Sequence, residues 1–205
     1  MESLPAQLTS FVGRASTIQL VKKRLAEHRL VTLVGPGGCG KTRLAIEVVR
    51  QGVGSTPQGS VVFVDFSGLS DPALVPGSVT RALGLREVPG QGPLESLSTQ
   101  LSKRELLLLL DNCEHLVGAC ASLAVVLARC CPGVRFLATS RERLGAPGEA
   151  VVVVGGLELP GHAGADNEDG MEHSEAGTLF IDRARMACTD FVVDDPRALR
   201  AMVET

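Results

Sequence analysis

A glycine-rich stretch that joins a predicted strand to a predicted helix leaves this chain few folds to adopt. Residues 35–42 read Gly-Pro-Gly-Gly-Cys-Gly-Lys-Thr, which matches the pattern GxxxxGK[ST]. A short apolar run at 30–34 precedes this stretch, and apolar residues at helical spacing follow it from Lys41 to Val53. The backbone N–H groups of such a loop and the N-terminus of the helix after it bind phosphate oxygens. The pattern therefore predicts a phosphate-binding loop in an α/β domain, and a glycine-rich turn without a ligand is the alternative.

Each position of this loop is a candidate binding residue. The candidates are Gly35, Pro36, Gly37, Gly38, Cys39, Gly40, Lys41 and Thr42. We expect the ammonium of Lys41 to reach the β- and γ-phosphates of a nucleotide, and the hydroxyl of Thr42 to bind Mg²⁺.

Apolar strands alternate with helices along the first three quarters of the chain. The predicted strands are 30–34, 61–66, 106–110, 134–139 and 150–154, and the predicted helices are 41–53, 71–85, 94–102 and 115–131. Strands without polar alternation that are linked by helices indicate a parallel sheet covered on both faces. The fold class is therefore α/β: a three-layer P-loop NTPase sandwich with a parallel five-stranded sheet, followed by the start of a helical module.

Polar side chains at the carboxyl ends of these strands are further candidates, because ligands of parallel sheets bind at that edge. Asp111 ends an apolar strand and is expected to hold Mg²⁺ together with Thr42, although a helix cap is its alternative role. Asn112 follows it and cannot act as a base. Glu114 is the nearest carboxylate that could orient a water molecule, or else a solvated acid in a first helical turn. Arg141 could sense a γ-phosphate, or it is an ordinary exposed arginine.

Composition excludes several other classes of protein. The chain has six Phe and neither Trp nor Tyr, which disfavours a platform for stacking nucleic acid bases. Its apolar runs are far shorter than the roughly 20 residues of a membrane span, and no signal peptide pattern opens it. The six cysteines lack paired CxxC spacing and indicate buried thiols. We therefore expect a soluble, cytoplasmic protein that does not bind a membrane.

Charge divides the chain unevenly. Residues 1–143 hold 16 Lys and Arg against 11 Asp and Glu, whereas residues 144–205 hold 4 against 12. Neither part has the basic stripe of a DNA-binding module, so no direct DNA binding is expected of this chain. The division predicted is a P-loop nucleotide-binding domain at 1–160, an acidic flexible linker at 161–175, and an incomplete helical module at 176–205.

Several segments together resemble the STAND class of signal-transduction ATPases, related to NB-ARC and AAA-like modules. The resemblance is to the ATPase domains of actinobacterial LuxR-type and SARP-type transcriptional regulators. The segments that carry it are 8–14, 34–42, 63–65, 108–116, 137–142, 157–160 and 179–184. The Asp-Asn-Cys-Glu-His sequence and the Thr-Ser-Arg-Glu sequence are more specific than the phosphate loop alone.

The resemblance implies a module that binds ATP or ADP with Mg²⁺, hydrolyses ATP slowly if at all, and acts as a nucleotide-dependent switch on other regulatory domains or protein partners. A nucleotide-dependent oligomer is compatible with it. It also implies that Val12, Gly13 and Arg14 line the adenine pocket, and that Arg141 senses phosphate. Ala15 departs from the family, which commonly has an acid there.

Two alternative functions stay open at this point. One is a P-loop kinase acting on a small molecule, although residues 144–182 contain no Lys or Arg for a basic lid. The other is a non-functional remnant, because the family continues beyond a point equivalent to Thr205 and the chain therefore resembles a truncated member.

Overall fold

The structure is a computed structural model of the 205-residue chain, and it describes residues 4–53, 60–86, 88–159, 174–193 and 202–203. The chain divides into two compact units. The first unit comprises Met1–Leu8 with Ser16–Gly155, and the second comprises Thr9–Ala15 with Gly156–Thr205.

A parallel sheet of five strands forms the centre of the first unit. The strands are β1 (Leu30–Val34), β2 (Val61–Asp65), β3 (Leu106–Asp111), β4 (Val134–Ser140) and β5 (Glu149–Val153). Their order in the sheet is β2-β3-β4-β1-β5, and each neighbouring pair is parallel. All six residues of β3 are buried, because the sheet is covered on both faces. The predicted α/β fold with a parallel five-stranded sheet is confirmed.

Helices form the outer layers. They are α1 (Ala15–Glu27), α2 (Lys41–Arg50), α3 (Val75–Ala82), α4 (Pro93–Leu101), α5 (Val117–Cys130) and, in the second unit, α6 (Glu175–Ala187). One continuous core joins α3, α4 and α5 to alternate residues of the strands, such as Leu108 and Phe136. The intervening strand residues, such as Leu109 and Leu137, are also fully buried. They lie on the opposite face, where α2 packs against β1 and β4.

Helix α1 was not among the predicted elements. Its buried residues Ile18, Val21 and Leu25 recur at helical spacing, which is the signal that could have predicted it. The helix predicted to begin at Asp71 starts instead with a short 3-10 turn, Pro72–Leu74, whose cap is the Asp71 carboxylate, 2.9 Å from the amide nitrogen of Ala73. A second 3-10 turn, Cys113–His115, precedes α5.

Not all cysteines are buried. Cys113, Cys120 and Cys131 are buried and Cys39 is half-buried. The prediction of buried thiols is wrong for Cys130 and Cys188, which are exposed because they lie at or just after helix C-termini.

In the second unit, α6 packs with the segment Thr9–Ala15. The hydroxyl of Ser10 donates to the Asp182 carboxylate at 2.6 Å, and Arg183 donates to the Ser10 carbonyl at 2.7 Å. The amide of Arg14 donates to the carboxylate of Glu175. The predicted linker, 161–175, lies outside the described residues except at its end, where Ser174 caps α6 and Glu175 begins it.

Of the helical module predicted at 176–205, residues 176–193 and 202–203 are described, and residues 202–203 are helical. None of the helices in the described ranges has both the length and the apolar character that a bilayer crossing requires.

Candidate phosphate-binding site

The loop between β1 and α2 is shaped by its glycines. Gly38 and Gly40 have φ values of 76° and 89°, in the left-handed region that side chains with a Cβ rarely adopt. Gly35 approaches the last part of the sheet so closely that a Cβ there would lie 2.2 Å from the carbonyl oxygen of Val154. Helix α2 then begins at Lys41, so its first amide groups face the loop. The local structure is the one that the GxxxxGK[ST] pattern predicts.

Lys41 lies inside this loop. Its side chain is 9% exposed, and its ammonium donates hydrogen bonds to the carbonyl oxygens of Gly35 and Pro36 at 2.9 and 2.8 Å. These contacts hold a positive charge at the phosphate loop, next to the N-terminus of α2. Such an arrangement favours an anion with several oxygens, as a phosphate chain has.

Thr42 and Asp111, the two predicted metal ligands, contact each other. The Thr42 hydroxyl lies 2.8 and 3.0 Å from the two carboxylate oxygens of Asp111. Asp111 is 3% exposed and also accepts a hydrogen bond from the hydroxyl of Thr139 at the end of β4. Because β4 lies between β1 and β3, Thr139 is placed to support the carboxylate from the intervening strand.

Asn112 and Asp65 extend this network. The amide nitrogen of the Asn112 side chain donates to Asp65 at 2.9 Å and to Asp111 at 3.2 Å. The backbone N–H of Asn112 donates to the Thr139 hydroxyl at 3.1 Å. Asn112 adopts a φ of 60°, which asparagine tolerates better than most residues. Asp65 also caps the turn after β2, since it accepts a hydrogen bond from the backbone N–H of Ser67 at 2.8 Å.

The two aspartates have opposite pKa shifts. Burial raises the pKa of Asp111 above its ordinary value, and the negative charges of Asp65 and Glu114 add to this, while hydrogen bonds from Thr139 and Thr42 oppose it. Burial alone would raise the pKa of Asp65 too, but hydrogen bonds from Asn112 and Ser67 outweigh it and the pKa of Asp65 is lowered.

These shifts predict opposite pH dependences for two matched variants. Because the folded chain binds the Asp111 proton more tightly than the unfolded chain, the contribution of Asp111 to the free energy of unfolding falls as the pH rises from 3.8 through the raised pKa. We expect Asp111→Asn to gain stability relative to wild type over that rise. Asp65→Asn should lose stability relative to wild type, because a lowered pKa has the opposite sign.

Urea unfolding at several values between about pH 3 and about pH 7 measures both differences; that of Asp65→Asn falls at the acidic end, because the lowered pKa of Asp65 lies below 3.8. Curves for Asp111→Asn and Asp65→Asn that shift in the same direction with pH would contradict the assignment of the two environments.

Glu114 and Arg141 form an ion pair beside the loop. The Nε of Arg141 lies 3.1 Å from an oxygen of Glu114, and the two side chains are 68% and 23% exposed respectively. A Cβ built on Gly37 would lie 3.7 Å from the Nη2 atom of Arg141. The structure therefore places Arg141 beside the phosphate loop, with Glu114 paired to it.

Val12, Gly13 and Arg14 lie in the second unit. Gly13 and Arg14 have positive φ values of 72° and 60°. A Cβ on Gly13 would collide with the Glu175 side chain. The role of these three residues at an adenine base stays a prediction.

The donor atoms at Thr42 and Asp111 fit Mg²⁺. Both are oxygens, as Mg²⁺ prefers, and they lie beside a phosphate loop whose bound phosphates would supply further oxygens. Within the described parts of the chain, no cluster of three or more His, Cys, Asp or Glu side chains is arranged to hold a metal ion by itself. The site is therefore suited to a metal that arrives with a phosphate ligand.

Comparison with known proteins gives several relatives in sequence, although no family model matches. The chain is 38% identical to "Putative HTH-type transcriptional regulator Rv0890c" of Mycobacterium tuberculosis over 174 residues, which are 85% of this chain and 18% of that protein. It is 37% identical to an uncharacterized protein of the same organism over 94% of this chain and 45% of that protein. Identity to the regulatory protein AfsR of Streptomyces griseus is 32%, over 69% of this chain and 15% of AfsR. The chain thus spans less than half of these relatives.

Solved structures with a similar fold are ATPases and related proteins. A STAND protein with a tetratricopeptide repeat sensor from Pyrococcus horikoshii has a TM-score of 0.59 at 18% identity, covering 98% of this chain and 28% of that one. A Walker-type ATPase of Pyrococcus abyssi has a TM-score of 0.59 at 12% identity, covering 98% and 66%. The ORC2 protein of Aeropyrum pernix, solved with ADPNP and ADP, has a TM-score of 0.58 at 13% identity, covering 98% and 59%.

These likenesses complement each other, because the solved structures share the fold and the relatives share the sequence. The chain has the fold of the P-loop ATPases and is related in sequence to segments of actinobacterial proteins named as transcriptional regulators, in agreement with the family that its motifs resemble.

Proposed function

We propose that this chain binds Mg-ATP and Mg-ADP and acts as a nucleotide-dependent switch in transcriptional regulation. The observation that carries the proposal is the contact between Thr42 and Asp111 beside the buried ammonium of Lys41. Lys41 and Thr42 from helix α2 and Asp111 from strand β3 converge there on the place where a phosphate chain and its metal ion would bind. The coarser statement, a nucleotide-binding regulatory module, has the support of both the fold and the relatives in sequence.

Each candidate residue has a role in this proposal. The loop 35–42 and Lys41 would bind the phosphates, and Thr42 and Asp111 would hold Mg²⁺. Bound Mg²⁺ would neutralise charge on the phosphate oxygens. Arg141 would contact the γ-phosphate, and the segment 12–14 would contact adenine.

Hydrolysis should be slow. Asn112 follows Asp111 and cannot accept a proton as a second carboxylate would. Glu114 is the acid we assign to orient a water molecule, and one of its oxygens, Oε2, is buried without a hydrogen-bond partner in the described part of the chain. The ion pair with Arg141 occupies its other oxygen. A slow enzyme of this kind changes state with the bound nucleotide rather than turning over rapidly.

The output of the switch would pass to other segments or proteins. The relatives named as regulators are much longer than this chain, so DNA contact is assigned to segments other than this one. Partners would be further regulatory domains, and self-association dependent on nucleotide is compatible with the proposal. A cytoplasmic location is part of the same proposal.

Calorimetry with Mg-ADP and with the slowly hydrolysed analogue Mg-ADPNP tests the proposal. We expect both nucleotides to bind and to raise the melting temperature, and we expect chelation of Mg²⁺ to weaken binding. Phosphate release from ATP, followed over hours, measures the slow hydrolysis. Absence of binding by either nucleotide at about 1 mM would contradict the proposal. Transfer of phosphate to a member of a small-molecule panel would favour a kinase instead.

A further inference from the structure

The ion pair between Glu114 and Arg141 uses only one edge of the arginine. Glu114 accepts a hydrogen bond from Nε at 3.1 Å, and the Nη2 atom at the other end of the guanidinium passes close to Gly37, in the middle of the phosphate loop. A guanidinium has five N–H donors, of which Nε carries one. The donors of the terminal nitrogens therefore remain for a ligand at the loop.

Arg141 by itself is poorly fixed. Its side chain is 68% exposed, and a long exposed arginine has many rotamers in solution. Its backbone, in contrast, is well placed, because β4 pairs with β1 so that Ser140 lies opposite Val34, where the phosphate loop begins. The position of the guanidinium therefore depends on what holds the side chain.

Glu114 is held more firmly. Its side chain is 23% exposed and belongs to the 3-10 turn Cys113–His115. His115 anchors that turn, since its Nε2 lies 3.1 and 2.6 Å from the carbonyl oxygens of Phe66 and Leu69, which share its N–H as hydrogen-bond acceptors. The carboxylate is therefore the fixed member of the pair and the guanidinium the movable one.

We infer that Glu114 is a positioning residue: it holds the Nε edge of Arg141 so that the terminal nitrogens face the phosphate loop, and thereby makes the site select nucleoside triphosphates over diphosphates. The inference rests on the proposed nucleotide binding. A diphosphate does not carry the third phosphate that Arg141 would contact, so its affinity should not depend on Glu114. Ordering one arginine in advance corresponds to about a two- to tenfold gain in affinity.

The test compares Mg-ADPNP and Mg-ADP binding by calorimetry in Glu114→Ala, Arg141→Ala and the double variant. We expect Glu114→Ala to weaken Mg-ADPNP about two- to tenfold and to leave Mg-ADP unchanged. Glu114→Gln should lose less, because its amide oxygen still accepts a hydrogen bond from Nε. In the Arg141→Ala background, Glu114→Ala should have no further effect on Mg-ADPNP. Glu142→Ala is the matched control, since it removes an exposed carboxylate from the residue that follows Arg141 and should change neither affinity.

The outcomes separate this inference from the proposed function. If wild type binds neither nucleotide, the proposed function and the inference both fail. If wild type binds both, the inference is overturned by equal effects of Glu114→Ala on Mg-ADPNP and Mg-ADP, by no effect on either, or by tighter Mg-ADPNP binding, which would mean that Glu114 competes for Arg141. A general loss of structure in Glu114→Ala would appear as a lower melting temperature with both affinities reduced together. In that case Glu114→Gln decides: a larger loss of affinity for Mg-ADPNP than for Mg-ADP supports the inference, and equal losses overturn it.

Discussion

Lys41→Ala is expected to abolish the binding of Mg-ATP and Mg-ADP, with a loss of affinity of about 100-fold or more in calorimetric titration. The reason is that Lys41 provides the positive charge inside the phosphate loop, where it is 9% exposed and poorly screened by water. Its hydrogen bonds to Gly35 and Pro36 hold the ammonium at the loop before a nucleotide arrives. A ligand phosphate would replace these carbonyl partners with charged oxygens, which bind an ammonium more strongly.

Two further variants separate binding from folding. Lys41→Met keeps most of the aliphatic stem and should lose nucleotide binding equally, while circular dichroism and thermal unfolding report on the fold. Lys23→Ala removes an exposed lysine from α1 and should leave affinity unchanged, although it changes net charge by the same amount. Equal nucleotide affinity in wild type and Lys41→Ala would refute the role of the loop.

Gly35→Ala should lower the free energy of unfolding by about 1–3 kcal/mol and also impair nucleotide binding. The added Cβ would lie 2.2 Å from the carbonyl oxygen of Val154, and a backbone atom cannot rotate away as a side chain can. Either β5 or the start of the phosphate loop must therefore shift. Either shift would disturb the phosphate loop, because Val154 also donates its N–H to the carbonyl of Val34, the residue before the loop, at 2.7 Å.

The matched control is Gly77→Ala. Gly77 lies inside α3, and a Cβ there would meet no atom within 4 Å. Alanine is the better helix former, so this variant should raise the free energy of unfolding by about 0.4–1 kcal/mol. Urea unfolding of both variants measures the contrast. A similar change in the free energy of unfolding of both variants would show that the close approach of Gly35 to Val154 does not determine the effect of Gly35→Ala.

Local patterns were sufficient to predict the sheet and the loop. Five leucines in a row at 106–110 have no polar alternation, and the run is too short for a helix of usual length, so the pattern favoured a strand buried on both faces. The glycines and Lys41 at 35–42 depend on local backbone conformation, which adjacent residues determine. For the same reason a helical start at Asp71 was predictable, since the carboxylate of Asp71 caps the amide of Ala73, only two residues away.

Contacts between distant residues were not predictable in the same way. The hydrogen bond from Thr139 to Asp111 depends on β4 lying next to β3, and the sequence of neither strand indicates which strands are neighbours in the sheet. The pairing of Nε of Arg141 with Glu114 depends on the 3-10 turn before α5, which the helical pattern from His115 onward did not reveal. Adenine contacts of the segment 12–14 came from resemblance alone and stay a prediction.

The strand order has a consequence for how the chain folds. β1 is made early, yet both its partners come from far along the chain: Leu30 pairs with Phe136 on one side and with Glu149 on the other. Closing loops of that length delays pairing, and chains dominated by such distant contacts fold slowly. During synthesis β1 and the phosphate loop must therefore wait until β4 and β5 have emerged, so that this loop is among the last parts of the sheet to assemble.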